Sequence, residues 1–265
     1  MTKQDILIHL AGDHPWADKI HYFDTIDSTN TQAKKLAAAG APHGTVLVAG
    51  HQTGGRGRMG RRFHSPAGVG IYLSVILRPD CKPDALMHLT CAAGTAMCDA
   101  VETAAGFRPG IKWINDLVYE NRKLGGILAE LSLTASGAVN YAVIGIGINC
   151  LHTPGDFPPE IRDIAASLSM VTGASVSPAR LAAAMIDRLH AMSRNLLPEK
   201  AAVMERYRRD CVTIGRDVRV MTDPPRAGVA LDVDDDGGLV VRFADGHTET
   251  VSAGEVSVRG MYGYV

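Results

Sequence analysis

Between two apolar, strand-like runs, Thr45–Ala49 and Gly70–Leu77, lies Gly54-Gly55-Arg56-Gly57-Arg58-Met59-Gly60-Arg61-Arg62, with four arginines and four glycines. This stretch constrains the fold first, because such charge does not enter a core and the two runs must flank an exposed loop. Glycine lets backbone approach a ligand closely, and arginine forks match carboxylate and phosphate oxygens two bonds at a time. Four like charges have little to pack against, which predicts a mobile lid that orders over an anionic small molecule. A solvated surface loop and a nucleic-acid patch are the plainer readings. A phosphate loop is excluded, since no Gly-Lys-Ser/Thr follows and no helix pattern begins there. Gly145-Ile146-Gly147-Ile148-Asn149 likewise lacks the spacing of a dinucleotide fingerprint.

The chain of 265 residues is long enough for one large domain and a small one, and 46% hydrophobic residues place it among globular proteins. A formal net charge of -1 argues against nucleic acid as the main partner, because the basicity is local. The five cysteines, Cys81, Cys91, Cys98, Cys150 and Cys211, form no Cys-x-x-Cys pair, so a zinc site is not expected. Cys91 and Cys98 read as core residues, and an odd count without a framework suits a reducing cytoplasm. Met1–Trp16 carries Asp5 and Asp13 and does not read as a signal peptide, and no apolar run reaches membrane-spanning length. A cytoplasmic protein with no membrane partner is the expectation.

Periodicity predicts a strand over 21–25, a helix opened by Asp27-Ser28-Thr29-Asn30 and stopped at Gly40, and strands over 45–49 and 70–77. One helix is expected over Asp84–Ala105, then strands over 111–114, 117–119, 126–131 and 139–148, then helices over 178–196 and 198–210. This mixture predicts α+β: helices packed on a mixed sheet in a domain spanning 1–210. After Asp210 the pattern changes to short alternating segments, 217–221, 228–233, 239–243, 249–252 and 256–259, which predict a small β-barrel domain over 211–265. Asp232-x-Asp234-x-Asp236-Gly237 begins like a calcium loop, but its twelfth position is Phe243 where a bidentate Glu is needed, so it reads as a solvated turn.

Five motifs occur in order: Asp27-Ser28-Thr29-Asn30, His51-Gln52-Thr53-Gly54-Gly55-Arg56-Gly57-Arg58, Lys112-Trp113-Ile114-Asn115-Asp116, Arg122-Lys123-Leu124-Gly125-Gly126-Ile127-Leu128 and Gly145-Ile146-Gly147-Ile148-Asn149. In this order and spacing they closely resemble the biotin protein ligases, over nearly the whole chain. The resemblance includes Gly254-Glu255-Val256-Ser257, which is similar to the closing strand of that family's SH3-like C-terminal barrel. It implies a catalytic domain of the class II synthetase-like type. Only 26 residues precede the first motif, which implies the monofunctional type without a DNA-binding domain. Ile114 stands where the family commonly has Pro, a loss of rigidity expected to have a modest effect. Gly68-Val69-Gly70 replaces an Asn-containing turn, without an expected consequence.

The resemblance implies that biotin's carboxylate attacks the α-phosphate of ATP, giving biotinyl-5'-AMP and pyrophosphate, and that an acceptor lysine then attacks the activated carbonyl. It places Lys123 on biotin's carboxylate and Lys112 near that carboxylate and the α-phosphate. Fixed cations are what this encounter of two anions needs. Ser28, Thr29 and Gln52, with Asn30 beside them, are expected at the ureido ring, where free N–H groups of a helix N-terminus also lie. Gly126 is expected against biotin as well. Arg56 and Arg58 would close over the adenylate, with Gly55 and Gly57 allowing backbone approach; Arg61 would meet phosphate, and Arg62 reads as a surface charge. Asn115 is assigned to the nucleotide, Asn149 resembles the adenine-binding asparagine, and Asp116 is expected to steer or deprotonate the acceptor lysine. Mg²⁺ is expected with ATP, held by phosphates and water rather than by protein groups. The acceptor implied is a biotin carboxyl carrier domain of a carboxylase, and relatives can pair through a sheet edge, so a homodimer is possible. A lipoate–protein ligase or octanoyltransferase and a non-catalytic biotin sensor are the alternative readings.

Overall fold

The computed structural model describes residues 1–252, 256–258 and 261. Seven strands form one mixed sheet: β1 (Ile20–Phe23), β2 (Thr45–Ala49), β3 (Gly70–Leu77), β4 (Gly110–Lys112), β5 (Asp116–Tyr119), β6 (Arg122–Leu133) and β7 (Val139–Asn149). Their spatial order is β1-β2-β3-β7-β6-β5-β4; β1 runs parallel to β2 and the other neighbours are antiparallel. Among the described residues, six helices accompany them: α1 (Lys3–Leu7), α2 (Thr29–Ala38), α3 (Leu89–Ala105), α4 (Leu168–Thr172), α5 (Pro178–Asn195) and α6 (Lys200–Asp210).

The two faces of the sheet differ because side chains alternate along each strand. Val46 and Val48 on β2, Ile71, Leu73 and Val75 on β3, and Ala142, Ile144, Ile146 and Ile148 on β7 join the main core, which also holds the apolar face of α3 and α5. On the opposite face Leu47, Ile76, Tyr141 and Val143 bury against Ala33 and Ala37 of α2. Helix α2 is short and covers only that end. Further along the same rows come Ser74, Gly145 and Gly147, so the rest of this face offers space instead of apolar side chains.

The chain then builds a five-stranded antiparallel sheet, ordered β11-β10-β9-β8-β12, from β8 (Asp217–Val220), β9 (Arg226–Val233), β10 (Leu239–Phe243), β11 (Thr248–Val251) and β12 (Val256–Val258). The Asp-rich segment forms a turn between β9 and β10: the Asp234 carboxylate accepts from the Asp236 and Gly238 N–H groups. Gly254, Glu255 and Arg259, assigned from sequence to or beside the closing strand, lie outside the described residues.

Several expectations need correction. The helix over 84–105 is broken: Pro83–Leu86 is a 3-10 turn, and α3 starts only after His88, whose ring is hydrogen-bonded to Leu196 O at 2.8 Å. The strand over 111–114 ends at Lys112, because the Trp113 N–H leaves the ladder for Thr213 Oγ1. Strand β6 begins at Arg122, not Gly126, and α6 begins at Lys200. The short helices α1 and α4 carry too few residues for a readable period.

Arg108 fastens α3 to the end of α6. It donates to Asp99 at 2.8 Å, Glu102 at 2.9 Å and Asp210 at 3.0 and 2.5 Å. The Asp210 side chain is only 5% exposed, so removal of Arg108 leaves that buried charge with the mostly exposed Arg209, at 3.5 Å, beside it. Replacing Arg108 with Met is expected to cost about 3 kcal/mol, read as a lower urea midpoint.

Candidate active site

A cleft opens on the sheet face that α2 leaves bare. Its floor is Gly145, Ile146 and Gly147 of β7 with Gly126, Ile127 and Leu128 of β6. The register sets Gly145 opposite Leu128 and Ser74, and Gly147 opposite Gly126 and Tyr72. Both glycines are required by close approach. A Cβ at 145 would lie 1.9 Å from Asn30 Oδ1, and one at 147 would lie 2.3 Å from the Phe63 ring. Gly-x-Gly here is a pair of notches in a sheet, into which one residue of α2 and one residue of the cationic loop seat.

Polar groups line the α2 end. Ser28 is the N-cap of α2, its Oγ accepting from the Thr31 N–H at 3.4 Å. The Thr29 N–H and hydroxyl both donate to Gln52 Oε1, at 2.8 and 3.1 Å. Gln52 Nε2 donates to Ser65 Oγ at 3.0 Å, and Ser65 in turn to Phe63 O. Ser74 Oγ lies 2.8 Å from Thr29 Oγ1 and 2.6 Å from Asn30 Oδ1. Asn30 spends its amide on Leu128 O and Glu130, which ties the start of α2 to β6. Ser28, Thr29, Asn30 and Ser74 are all buried, and buried polar groups that hold one another are fixed before any ligand arrives.

The opposite end is cationic. Lys123 Nζ donates to Asp116 Oδ1 at 2.6 Å across the β5–β6 pair. Lys112 is 8% exposed and donates to Val256 O at 3.1 Å. Its burial next to a cleft is unusual for lysine, which ordinarily stays in water. Main-chain bonds from Lys123 N–H to Ile164 O (2.7 Å) and from Ala166 N–H to Lys123 O (2.9 Å) fix the strand position of Lys123.

The arginine–glycine segment folds as a small hairpin. Gly57 N–H donates to Arg61 O at 2.7 Å and Phe63 N–H to Gly55 O at 3.0 Å, with a 3-10 turn over Arg58–Gly60 between them. Charge counting alone gives this loop little to pack against; the structure supplies partners. Arg58 donates to Asn115 Oδ1 at 3.0 Å, Arg56 to Glu130 at 3.4 Å and Arg62 to Thr53 O at 3.2 Å. Burial alone would raise the Glu130 carboxyl, but hydrogen bonds from Lys34 and Asn30 and the Arg56 charge hold it below the usual glutamate range.

The cleft thus brings together Ser28, Thr29, Asn30, Gln52, Arg56, Gly57, Arg58, Arg61, Lys112, Asn115, Asp116, Lys123 and Gly126 of the residues singled out from sequence, and Arg62 as well. Gly55 and Asn149 stand outside its lining. Gly55 is buried behind the hairpin, and the Asn149 amide donates to Lys123 O at 3.4 Å and Ala166 O at 3.0 Å. Among the described residues, Asp116 is the acid that faces six cationic side chains in the lining: Arg56, Arg58, Arg61, Arg62, Lys112 and Lys123. Sequence reasoning missed Ser74, Ser65, Phe63, Glu130 and Val256. Ser74 gave a signal, being the one hydroxyl among the strand-interior aliphatics Leu73, Val75 and Ile76; Val256, 144 residues from Lys112, gave none.

The sequence model described as the biotin/lipoate A/B protein ligase family matches residues 22–149, and that of the biotin protein ligase C-terminal domain matches 213–259. The biotin–(acetyl-CoA-carboxylase) ligase of Mycobacterium tuberculosis is 38% identical over 239 residues, covering 86% of this chain and 85% of that protein. The chain belongs to the biotin protein ligase family. The bifunctional ligase/repressor BirA of Bacillus subtilis is 37% identical over 238 residues, 88% of this chain and 72% of that one. The solved structure of the Aquifex aeolicus biotin protein ligase in complex with biotin and ATP superposes with a TM-score of 0.76 at 26% identity, covering 91% of this chain and 98% of that one. Among the described residues no helix is long and apolar enough to cross a membrane.

Glu130 anchors both α2 and the hairpin of this biotin ligase-family cleft, which gives a test. Glu130→Gln should lower amide-exchange protection over residues 55–63 severalfold at neutral pH. In the wild type the same protection should persist through neutral pH and fall only as pH drops through the lowered Glu130 pKa, since a depressed carboxyl pKa stabilises above it and not below.

Proposed function

We propose that this chain activates biotin with ATP to biotinyl-5'-AMP and transfers the biotinyl group to a lysine of an acceptor protein. The observation that carries this reading is the polarity of one cleft: a buried, pre-bonded polar network at one end, and Lys112, Lys123 and the arginine hairpin at the other. The first end suits a ureido ring, which has both donors and acceptors; the second suits a carboxylate meeting a triphosphate.

In the first half-reaction the Lys123 ammonium leaves Asp116 for biotin's carboxylate and holds it beside the α-phosphate. Lys112 neutralises charge that builds on the non-bridging oxygens as the carboxylate oxygen attacks and pyrophosphate departs. Arg56, Arg58 and Arg61 bear on the phosphates, and closure of the hairpin keeps water from the acyl-adenylate. Fixed cations cost no reorganisation as charge develops, which is why they outperform water in such a step. In the second half-reaction Asp116, released from Lys123, accepts a proton from the incoming lysine, whose amine attacks the acyl carbon and expels AMP. Asn115 and Asn149 complete the nucleotide side. Among the described residues the one acid in the lining is paired with a lysine, so the cleft fits a Mg²⁺ that enters on ATP as part of the substrate, ligated by phosphate and water.

A biotin carboxyl carrier domain of a carboxylase is the proposed acceptor, in keeping with the name of the mycobacterial relative. A cytoplasmic site and division into domains over 1–210 and 211–265 belong to the same reading. The buried network around Thr29 and Gln52 favours biotin over lipoate, whose dithiolane would leave those groups unpaired.

The test is release of pyrophosphate from Mg·ATP with biotin or lipoate as the acid. Release is expected with biotin alone, and Lys123→Ala should reduce it by about 10²- to 10³-fold. Release with lipoate in place of biotin would overturn the assignment. Asp116→Asn is expected to slow transfer to the acceptor more than it slows adenylation, measured by single-turnover transfer from preformed biotinyl-5'-AMP.

A further inference from the structure

Among the described residues, Tyr207, Thr213, Gly237 and Val256 each hydrogen-bond to the tripeptide Lys112-Trp113-Ile114. Trp113 N–H donates to Thr213 Oγ1 at 2.9 Å, and its indole N–H donates to Gly237 O at 2.8 Å. Tyr207 Oη donates to Ile114 O at 3.3 Å, and Lys112 Nζ to Val256 O at 3.1 Å. Thr213 is fully buried and Trp113 is 4% exposed, so the Trp113 N–H has no route to water if its acceptor is lost.

The turn that presents Gly237 is itself braced. Asp234 closes it through the Asp236 and Gly238 N–H groups. From α6, Arg208 reaches Val233 O and Asp235, each at 2.5 Å, and Lys200 reaches Asp236. Gly237 has φ of +88°, and a Cβ there would stand 2.9 Å from Cys91 Sγ, so the turn sits directly on α3. The polar network at the other end of the cleft is built separately, from residues between Ser28 and Glu130.

We infer that Thr213 and the Asp234–Gly238 turn are positioning elements for adenylation: they aim Lys112 at the phosphates and leave biotin capture to Lys123 and the polar end of the cleft. The inference rests on the proposed reaction. Its physical basis is adjacency. Lys112 leaves β4 at its last residue, and the next backbone N–H is held by Thr213 and not by a neighbouring strand. Without that acceptor a buried donor is unsatisfied, the segment shifts to relieve it, and the lysine head group moves with the segment.

The experiment uses the full chain with Thr213→Val, which keeps the shape and removes the acceptor, Thr213→Ser, which restores it, and Asp234→Ala, which loosens the turn from a partly exposed position. Biotin affinity is measured by calorimetry and adenylation by biotin-dependent ATP–pyrophosphate exchange. Thr213→Val and Asp234→Ala are expected to lower kcat by about 10- to 100-fold, with biotin Kd and biotin KM held near wild type, and Thr213→Ser to recover most of the loss. Unchanged kcat in both impaired variants would overturn the inference. So would a parallel loss of biotin affinity, or a Ser variant as slow as the Val variant. If Thr213→Val does not fold, the Ser and Asp234 variants decide the outcome. A wild type that binds biotin but exchanges no pyrophosphate would instead overturn the proposed reaction, and this inference with it.

Discussion

The cleft depends on what β7 leaves out. Its inward row, Ala142, Ile144, Ile146 and Ile148, is continuous core, while its outward row starts with Tyr141 and Val143 under α2 and then turns to Gly145 and Gly147. One strand thereby changes function halfway along, from a helix platform to the floor of a cleft, while its register to both β3 and β6 stays continuous from Ala142 to Ile148. Asn30 and Phe63 take up the vacated volume, so the notches serve to dock α2 and the cationic hairpin against a rigid sheet. A site mounted this way inherits the precision of the strands beneath it.

Electrostatics set a second constraint. Among the described residues, six cations around one acid would repel if left exposed and unpaired, and the structure offsets this with neutral and acidic acceptors: Asn115 for Arg58, Glu130 for Arg56, Asp116 for Lys123 and a main-chain carbonyl for Lys112. Each is a partner that an anionic ligand can replace. Binding then exchanges one set of charge-assisted bonds for another instead of desolvating bare charges, which is the cheaper route into a partly buried site.

Much of this was legible in the sequence, and the division follows range. The strands over 45–49 and 70–77, the helix start at Asp27-Ser28-Thr29-Asn30 and the turn at Asp234 are set by neighbours within a few residues, and local pattern reported them. The five motifs gave the cleft residues because each one sits at a strand end or loop that the sheet order gathers together. What escaped was relational. Nothing near Glu130 announces that it will face Lys34, Asn30 and Arg56, and nothing near Val256 announces Lys112. The break before α3 escaped because helical spacing continues through Asp84–Met87, while the buried His88 ring is claimed by Leu196, which follows the last residue of α5.

Ile114, where the resemblance to the family implies a proline, bears on how the lysine end of the cleft is held. Proline would supply a fixed φ but no N–H; isoleucine supplies neither rigidity nor a polar side chain. Here the adjoining groups take over that role from outside: Trp113 is pinned at its amide and at its indole, and the Ile114 carbonyl accepts from Tyr207. A segment without its own stiffness can still be precise when three elements remote in sequence each fix one of its atoms. The consequence is that the two ends of the cleft answer to different parts of the chain: the polar end to α2, β3 and β6, and the lysine of β4 to α6 and the C-terminal sheet.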